Sequence, residues 1–180
     1  FSSNRKRLIR ELQPNSLALL NSNDTMPTTA DGTMPFKQNS DLFYLTGINQ
    51  EESILLLCPA FRDESKREIL FLREPNEHLE KWHGHKLTKK EATAVSGIKT
   101  VMWLSEFDAM FHHLMVMGGA ENVYLNTNEH YRAEIVVQTR DARFIEWCQQ
   151  RYPLHEYQRL APLMAKLRTV KQPQEIKLLQ

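Results

Sequence analysis

The segment FKQNSDLFYLTG, residues 36–47, sets a run of polar residues directly before a compact apolar cluster and closes with a glycine. Asn39 or Ser40 can accept a hydrogen bond from a free backbone N–H at a helix start, and Asp41 suits the positive end of a helix. The closing glycine can take up the left-handed conformation that ends many helices. These end signals favour a short helix over residues 42–46. A strand is the competing interpretation, because phenylalanine and tyrosine are common in strands.

Outward from this segment, apolar residues follow two kinds of pattern. Short, wholly apolar runs predict buried strands at residues 17–20, 54–57, 69–72, 101–104 and 123–125. Helical spacing predicts helices at residues 3–12, 133–150, 160–167 and 173–179, with a further helix that Ser105 caps and Gly118 ends. A polar turn separates the second and third apolar runs, which predicts adjacent antiparallel strands. Strands alternating with helices predict an α/β fold.

Residues 21–35 form the longest polar connection near the opening segment and are rich in Asn, Asp, Thr, Gly and Pro. Long ordered loops in compact domains are often functional. We expect the capped apolar turn that follows to anchor this loop to the core. The QNSD motif is therefore predicted to have a structural role rather than direct contact with a substrate.

The charge balance argues against a nucleic-acid partner. Lysine and arginine number 23 and aspartate and glutamate number 22, so the net charge is only +1. The basic run Arg5-Lys6-Arg7 is predicted to be a solvated helix face. No apolar run approaches the ~18 residues of a membrane span, and no signal-peptide pattern is present. We therefore expect a cytoplasmic protein with no membrane partner.

The two cysteines sit in apolar surroundings, LLLCPAF around Cys58 and FIEWCQQ around Cys148. Buried free thiols in a reducing compartment are the favoured interpretation, while a disulfide between the two stays open. Neither cysteine lies in a glycine-rich or electropositive frame, and no G-x-S-x-G, P-loop or dinucleotide motif occurs. The residues alone therefore predict a domain without a nucleophile or a nucleotide site.

Histidines offer the only candidate metal ligands. His78, His83 and His85 could bind zinc from an extended segment, but no nearby cysteine completes the set. His112 and His113 are helix neighbours that diverge by about 100°, so they cannot share an ion. We therefore predict no metal site in this chain.

Two further surface predictions concern Glu51-Glu52 and Trp82. The two glutamates follow a helix stop and are expected to face solvent. Trp82 lies between polar residues and Gly84 with almost no apolar support, which is typical of a contact surface. Packing against the edge of the core is the alternative for this tryptophan.

The stretch MPFKQNSDLFYLTGINQEESILLL, residues 34–57, resembles the N-terminal domain of the aminopeptidase P family, within the larger creatinase and prolidase group. The matches include the Pro-aromatic-basic-Gln-Asn-Ser-Asp start and the Thr-Gly end. Met34 departs from the aromatic that is common at its position. The likeness continues through Trp82-His83-Gly84 and into LRTVKQPQEI, which is similar to the joint between the family's two domains.

This resemblance implies a mixed β-sheet flanked by helices, of the ribonuclease H-like kind seen in creatinase N-terminal domains. Residues 1–168 would form that domain. Residues 169–180 would be the joint to, and first helix of, an absent C-terminal pita-bread catalytic domain. That catalytic domain would be a partner of this chain and would hold two divalent metal ions, manganese in many members, whereas this fragment would bind no cofactor.

The resemblance also implies a function. The full-length protein would be a metallopeptidase that releases the N-terminal residue before a proline, from peptides with proline second. This fragment would be inactive alone, would support a homodimer or homotetramer, and would border the active-site entrance with Trp82 and Asp31. A late arginine, between Arg140 and Arg159, would reach the active site. Alternatives are a prolidase, or a non-catalytic binding module like that of histone-chaperone proteins with the same two-domain body.

Overall fold

The computed structural model describes residues 1–76 and 84–179. The strands in these residues are β1 Ser16–Asn21, β2 Ile54–Leu57, β3 Glu68–Leu72, β4 Thr100–Trp103, β5 Asn122–Leu125 and β6 Glu156–Arg159. The α-helices are α1 Ser2–Glu11, α2 Ser40–Thr46, α3 Lys89–Ser96, α4 Phe107–Met117, α5 Arg140–Arg151, α6 Ala161–Thr169 and α7 Pro173–Leu179. None of the helices in the described ranges is long and apolar enough to cross a membrane.

The strands form one mixed sheet in the order β4-β3-β2-β1-β5-β6. β1 pairs antiparallel with β2, and β2 pairs antiparallel with β3, as the sequence predicts. β1, β5 and β6 run parallel to one another, so their carboxyl ends lie at the same edge of the sheet. The predicted α/β class and mixed sheet flanked by helices are confirmed.

Two apolar clusters cover the two faces of the sheet, which explains why the central strands β1 and β2 are mostly apolar along their length. Ala18 and Leu20 of β1 face a cluster that also holds α1, α2, α3 and α6 residues. Leu17 and Leu19 face a second cluster built with α4 and α5. A central strand that is buried on both sides shows a continuous apolar run rather than alternation.

The opening segment is the helix that its end signals favour. The Asn39 side chain accepts hydrogen bonds from the backbone N–H groups of Asp41 at 2.9 Å and Leu42 at 3.3 Å. Gly47 closes α2 in the left-handed conformation with φ of 72°, and its N–H donates to the carbonyl of Phe43. Both ends of this short helix are therefore satisfied by local chemistry.

Gln38 ties the same segment to the chain beyond α2. It is 8% exposed, and its Nε2 donates to the carbonyls of Ile48 at 3.2 Å and Gln50 at 2.9 Å. Its Oε1 accepts from the backbone N–H of Asn39 at 2.8 Å. A buried amide with both ends bonded fixes the path of the chain into and out of α2, in keeping with the structural role predicted for QNSD.

Arg5 corrects one prediction from the sequence. The basic run was expected to be a solvated face, yet Arg5 is only 1% exposed. Its Nη1 donates to the carbonyls of Leu45 at 2.8 Å and Ser96 at 3.0 Å, and its Nε pairs with Glu68 at 3.0 Å. Leu45 and Ser96 lie in the last turns of α2 and α3, where helix carbonyls lack helical partners. Charge patterning cannot identify a cation that satisfies such carbonyls.

Three further corrections concern the starts of two helices and one strand that was not predicted. The helix predicted over residues 133–150 begins only at Arg140, because Thr139 caps it by accepting from the N–H of Ala142. Ser105 lies inside a 3₁₀ turn and is not the cap of α4; the carboxylate of Glu106 accepts from Trp103 N–H instead. β6, the sequence EYQR, was missed because an edge strand of polar residues has no apolar run.

Replacing Arg5 by methionine keeps most of the apolar stem but leaves two helix-end carbonyls and Glu68 without their donor. We expect Arg5→Met to lower the free energy of unfolding by about 2–4 kcal/mol. The matched control is Lys6→Met on the same helix, where the side chain is exposed. Urea melts of both variants measure the difference, and equal stabilities would contradict the role given to Arg5.

Candidate functional site

Polar side chains meet where β1 ends and α5 begins. Asn21, the last residue of β1, donates from Nδ2 to Oδ1 of Asp141 at 2.9 Å. The guanidinium of Arg140 donates to the hydroxyl of Ser22 at 2.6 Å. The contacts join the carboxyl end of a central strand to the first turn of a helix that lies 120 residues further along the chain. This edge of the sheet is where open α/β folds place their ligands.

Asp24 fastens the start of the long loop to the same helix. Its Oδ2 accepts from the backbone N–H of Arg140 at 2.9 Å, and its Oδ1 pairs with Arg143 at 2.5 Å. A carboxylate at a helix start is favourable because the free N–H groups carry partial positive charge. The loop therefore leaves β1 from a fixed point.

A crevice of about 810 Å³ opens beside this loop, and we name it the loop crevice. Its walls come from the two ends of the 23–36 loop, from the segment before β2, and from α5. Its charged lining residues are Asp24, Glu51, Glu52, Arg73, Lys86, Arg140 and Arg143. Such a dense set of charges around one opening suits a polar or charged ligand.

Glu51 corrects the expectation that both glutamates face solvent, whereas the side chain of Glu52 is 46% exposed. Glu51 is largely buried and pairs with Lys86, and this hydrogen bond helps to lower the pKa of Glu51 against the opposing effect of burial. Glu52 has a positive φ of 51° and pairs with Arg73 at 3.1 Å. Ion pairing with Lys86, which depends on a tertiary contact, brings the carboxylate of Glu51 inward, while Glu52 and Arg73 form an exposed pair.

Arg140 differs from the other cations of the loop crevice, Arg73, Lys86 and Arg143, which each form an ion pair. Within the described residues its guanidinium makes no ion pair within 4 Å and donates only to Ser22. Burial lowers the pKa of Arg140, while the nearby charges of Glu52 and Asp24 act in the opposite direction. A half-buried cation without a bonded carboxylate retains donors for an incoming anion.

Asp141 is the most perturbed carboxyl group at this edge. Burial raises its pKa to about 6, the charges of Asp41 and Asp24 act in the same direction, and the Asn21 hydrogen bond and Arg140 oppose them. A carboxyl group that is held near neutrality in a cleft is a candidate for a functional role. No pattern in the sequence indicates Asp141, because an aspartate in the first turn of a helix is common.

The residues predicted to border an entrance fall in different parts of the chain. Asp31 is exposed within a turn in which Thr28 N–H donates to the Gly32 carbonyl at 2.9 Å, next to the Pro27–Thr33 bridge. Thr33, two residues on, lines the loop crevice. Trp82 lies outside the described residues, as do two of the candidate zinc ligands, His78 and His83. Asp31 and Trp82 therefore stay predictions.

The described residues hold no group of three histidine, cysteine, aspartate or glutamate side chains that could bind a metal ion. Cys58 and Cys148 are both free and buried, which answers the question of a disulfide between them. Burial raises the pKa of each thiol to about 11, so both stay protonated and unreactive near neutral pH.

The raised pKa of Asp141 predicts a pH-dependent contribution to stability. Between about pH 4 and pH 6 the unfolded chain releases this proton while the folded chain keeps it, so the contribution falls as pH rises through this window. We therefore compare the free energy of unfolding of Asp141→Asn with that of the parent chain. We expect this difference to shift in favour of Asp141→Asn by about 1–3 kcal/mol when the pH is raised from 4 to 8.

Thermal or urea melts at these two pH values measure this gain for Asp141→Asn. Glu146→Gln is the matched control, since Glu146 lies exposed on the same helix. A difference between parent and Asp141→Asn that does not change with pH would refute the burial of an ionisable Asp141.

Comparison with known proteins adds the family. A model of the aminopeptidase P N-terminal domain matches residues 1–124. The chain is 27% identical over 193 positions to Xaa-Pro aminopeptidase of Escherichia coli strain K12, covering 99% of this chain and 40% of that protein. The chain thus spans about two fifths of the length of this curated relative.

Solved structures agree in fold. Aminopeptidase PepP of Pseudomonas aeruginosa has a TM-score of 0.78 at 24% identity, over 98% of this chain and 39% of that chain. Zinc-substituted Escherichia coli aminopeptidase P in complex with product has a TM-score of 0.73 at 27% identity, over 98% of this chain and 40% of that chain. Since the family model covers well over half of the residues, the chain belongs to the aminopeptidase P N-terminal domain family.

Proposed function

We propose that this chain serves as the N-terminal, non-catalytic domain of an Xaa-Pro aminopeptidase. The observation that carries the proposal is the family match over residues 1–124, together with relatives named Xaa-Pro aminopeptidase that align with nearly the whole chain. In this function the chain works beside a C-terminal catalytic domain that removes the N-terminal residue before proline. The domain also supports a dimer or tetramer.

The chemistry of the described residues agrees with a supporting role. They offer no metal-binding group, so two divalent ions, manganese in our proposal, would be held by the partner domain and not by this chain. The buried, protonated thiols supply no nucleophile but suit a reducing compartment, which supports a cytoplasmic location.

In the proposed enzyme the loop crevice borders the entrance to the active site. The loop that carries Asp31 contributes Thr33 and Met34 to the crevice, and Lys86 follows the Trp82 segment by a few residues. The anchoring of Asp24 to α5 and of Gln38 beyond α2 holds both ends of this loop. A fixed loop can position a substrate without taking part in the chemistry.

Among the late arginines, Arg140 fits the role of reaching the active site better than the others. Arg143 is paired with Asp24, and Arg159 is paired with Glu129. Arg151 lies exposed beside the ring of Trp147. Arg140 alone among these four lines the loop crevice without an ion pair within the described residues.

Trp82→Ala tests the entrance proposal in the full-length protein. We expect kcat/KM to fall about 3–10-fold on long Xaa-Pro peptides and less on short ones, because remote substrate contacts are lost. In the 180-residue chain the same change should alter stability by less than about 1 kcal/mol. The control is Leu154→Ala, an apolar side chain that is 96% exposed and does not line the loop crevice. A large stability loss with unchanged kinetics would make Trp82 a core residue.

The 180-residue chain alone should fold, yet neither cleave Xaa-Pro peptides nor bind manganese tightly, because the described residues lack a closed set of ligands. Calorimetric titration with manganese and a peptide-release assay measure both properties. Dissociation constants near about 1 μM, or release of product, would contradict the supporting role.

A further inference from the structure

A second crevice, of about 800 Å³, lies at the carboxyl ends of β1, β5 and β6, and we name it the strand-end crevice. It is lined by the start of α2, by residues 126–131 after β5, and by one side of α6. Asp141 faces this crevice while its neighbour Arg140 faces the loop crevice. The two openings are therefore lined from adjacent residues of α5.

The topology marks this edge as a binding position. After β1 the chain passes to α2 on one face of the sheet, and after the parallel neighbour β5 it passes to α5 on the other face. Where the connections of two adjacent parallel strands part to opposite faces, a crevice forms outside their carboxyl ends, and open α/β sheets bind ligands there.

Most charges in the strand-end crevice neutralise one another. Asp41 pairs with Arg168 at 2.7 Å, and Glu129 pairs with Arg159. These two ion pairs hold the start of α2 to α6 and the segment after β5 to the end of β6. They therefore build the walls and leave other groups to recognise a ligand.

Three polar groups of the crevice can still form hydrogen bonds or ion pairs with a ligand. The ammonium group of Lys37 makes no ion pair within the described residues and is exposed. The Asp141 carboxyl accepts one hydrogen bond, from Asn21. Asn126 is 4% exposed, donates to Asp41 at 3.1 Å, and its Oδ1 has no partner among the residues that the structure describes. A buried amide oxygen without a donor is uncommon and destabilising.

The unused groups select a ligand by charge. Asp141 and the oxygen of Asn126 are acceptors, so they suit an ammonium group, whereas Lys37 suits a carboxylate. Tyr131, Ile135 and Pro162 line the same crevice and offer apolar contact for a side chain. A molecule with one ammonium, one carboxylate and a small apolar group matches this combination.

We propose that the strand-end crevice binds a free amino acid or short peptide, with the ammonium group at Asp141 and Asn126 and the carboxylate at Lys37. This site is distinct from the loop crevice. It does not depend on the proposed peptidase function, because the ligand class follows from the groups of the crevice.

Calorimetric titration of the 180-residue chain with the dipeptide Ala-Ala near pH 8 tests the site. We expect saturable binding. The affinity should fall about tenfold when the dipeptide is N-acetylated, and it should fall by a similar factor for Ala-Ala with Asp141→Asn. Lys37→Gln should weaken the binding of Ala-Ala. It should not change the binding of the C-terminal amide of Ala-Ala, which has no carboxylate. Below about pH 6, protonation of Asp141 should reduce the affinity of the parent chain.

The matched control is Glu134→Gln, which removes an exposed carboxylate of the neighbouring segment that does not line the crevice, and its affinity should equal that of the parent. Absence of saturation up to about 10 mM Ala-Ala would overturn the proposal. So would equal binding of the N-acetylated dipeptide, since the ammonium group would then not be recognised. Lys37 is exposed, so Lys37→Gln tests the carboxylate end of the site independently of Asp141→Asn.

Discussion

A single buried guanidinium, that of Arg5, connects four elements on one face of the sheet. It bonds the last turns of α2 and α3, pairs with the start of β3, and belongs to α1. Each of those helices ends at a left-handed glycine, Gly47 or Gly97, that turns the chain away and leaves carbonyls without helical partners. The Nη1 group of Arg5 donates to one such carbonyl in each helix, and its Nε donates to Glu68, so one planar group fixes the relative positions of the helices.

The candidate sites depend on this frame through α2. Because α2 is held at its end by Arg5 and at its start by Asn39, the segment before it has a defined path. That segment carries Lys37 into the strand-end crevice and continues from the loop that lines the loop crevice. One short capped helix thus orients residues in both openings, although none of its own side chains needs to contact a substrate.

Local signals in the sequence predicted a large part of this arrangement. The apolar runs located five strands, and the caps around Leu42 and Gly47 located α2. Local signals did not predict contacts between positions that are far apart in the chain. Three such contacts are the burial of Arg5, the inward pairing of Glu51 and the hydrogen bond between Asn21 and Asp141. These signals also did not predict the polar edge strand β6, because β6 is defined by its pairing with β5 and not by an apolar pattern.

The bond between Asn21 and Asp141 has a consequence for strand register. β1 reads SLALLN and is buried on both faces, so sliding it by one residue would still bury apolar side chains, and alternation cannot select the correct alignment. Its polar ends can. Ser16 donates to the carbonyl of Gln13, and Asn21 donates to Asp141, while both are at most 3% exposed. Any shift in register would leave these buried groups without hydrogen-bond partners. The two ends of β1 therefore set the alignment that its apolar middle does not determine.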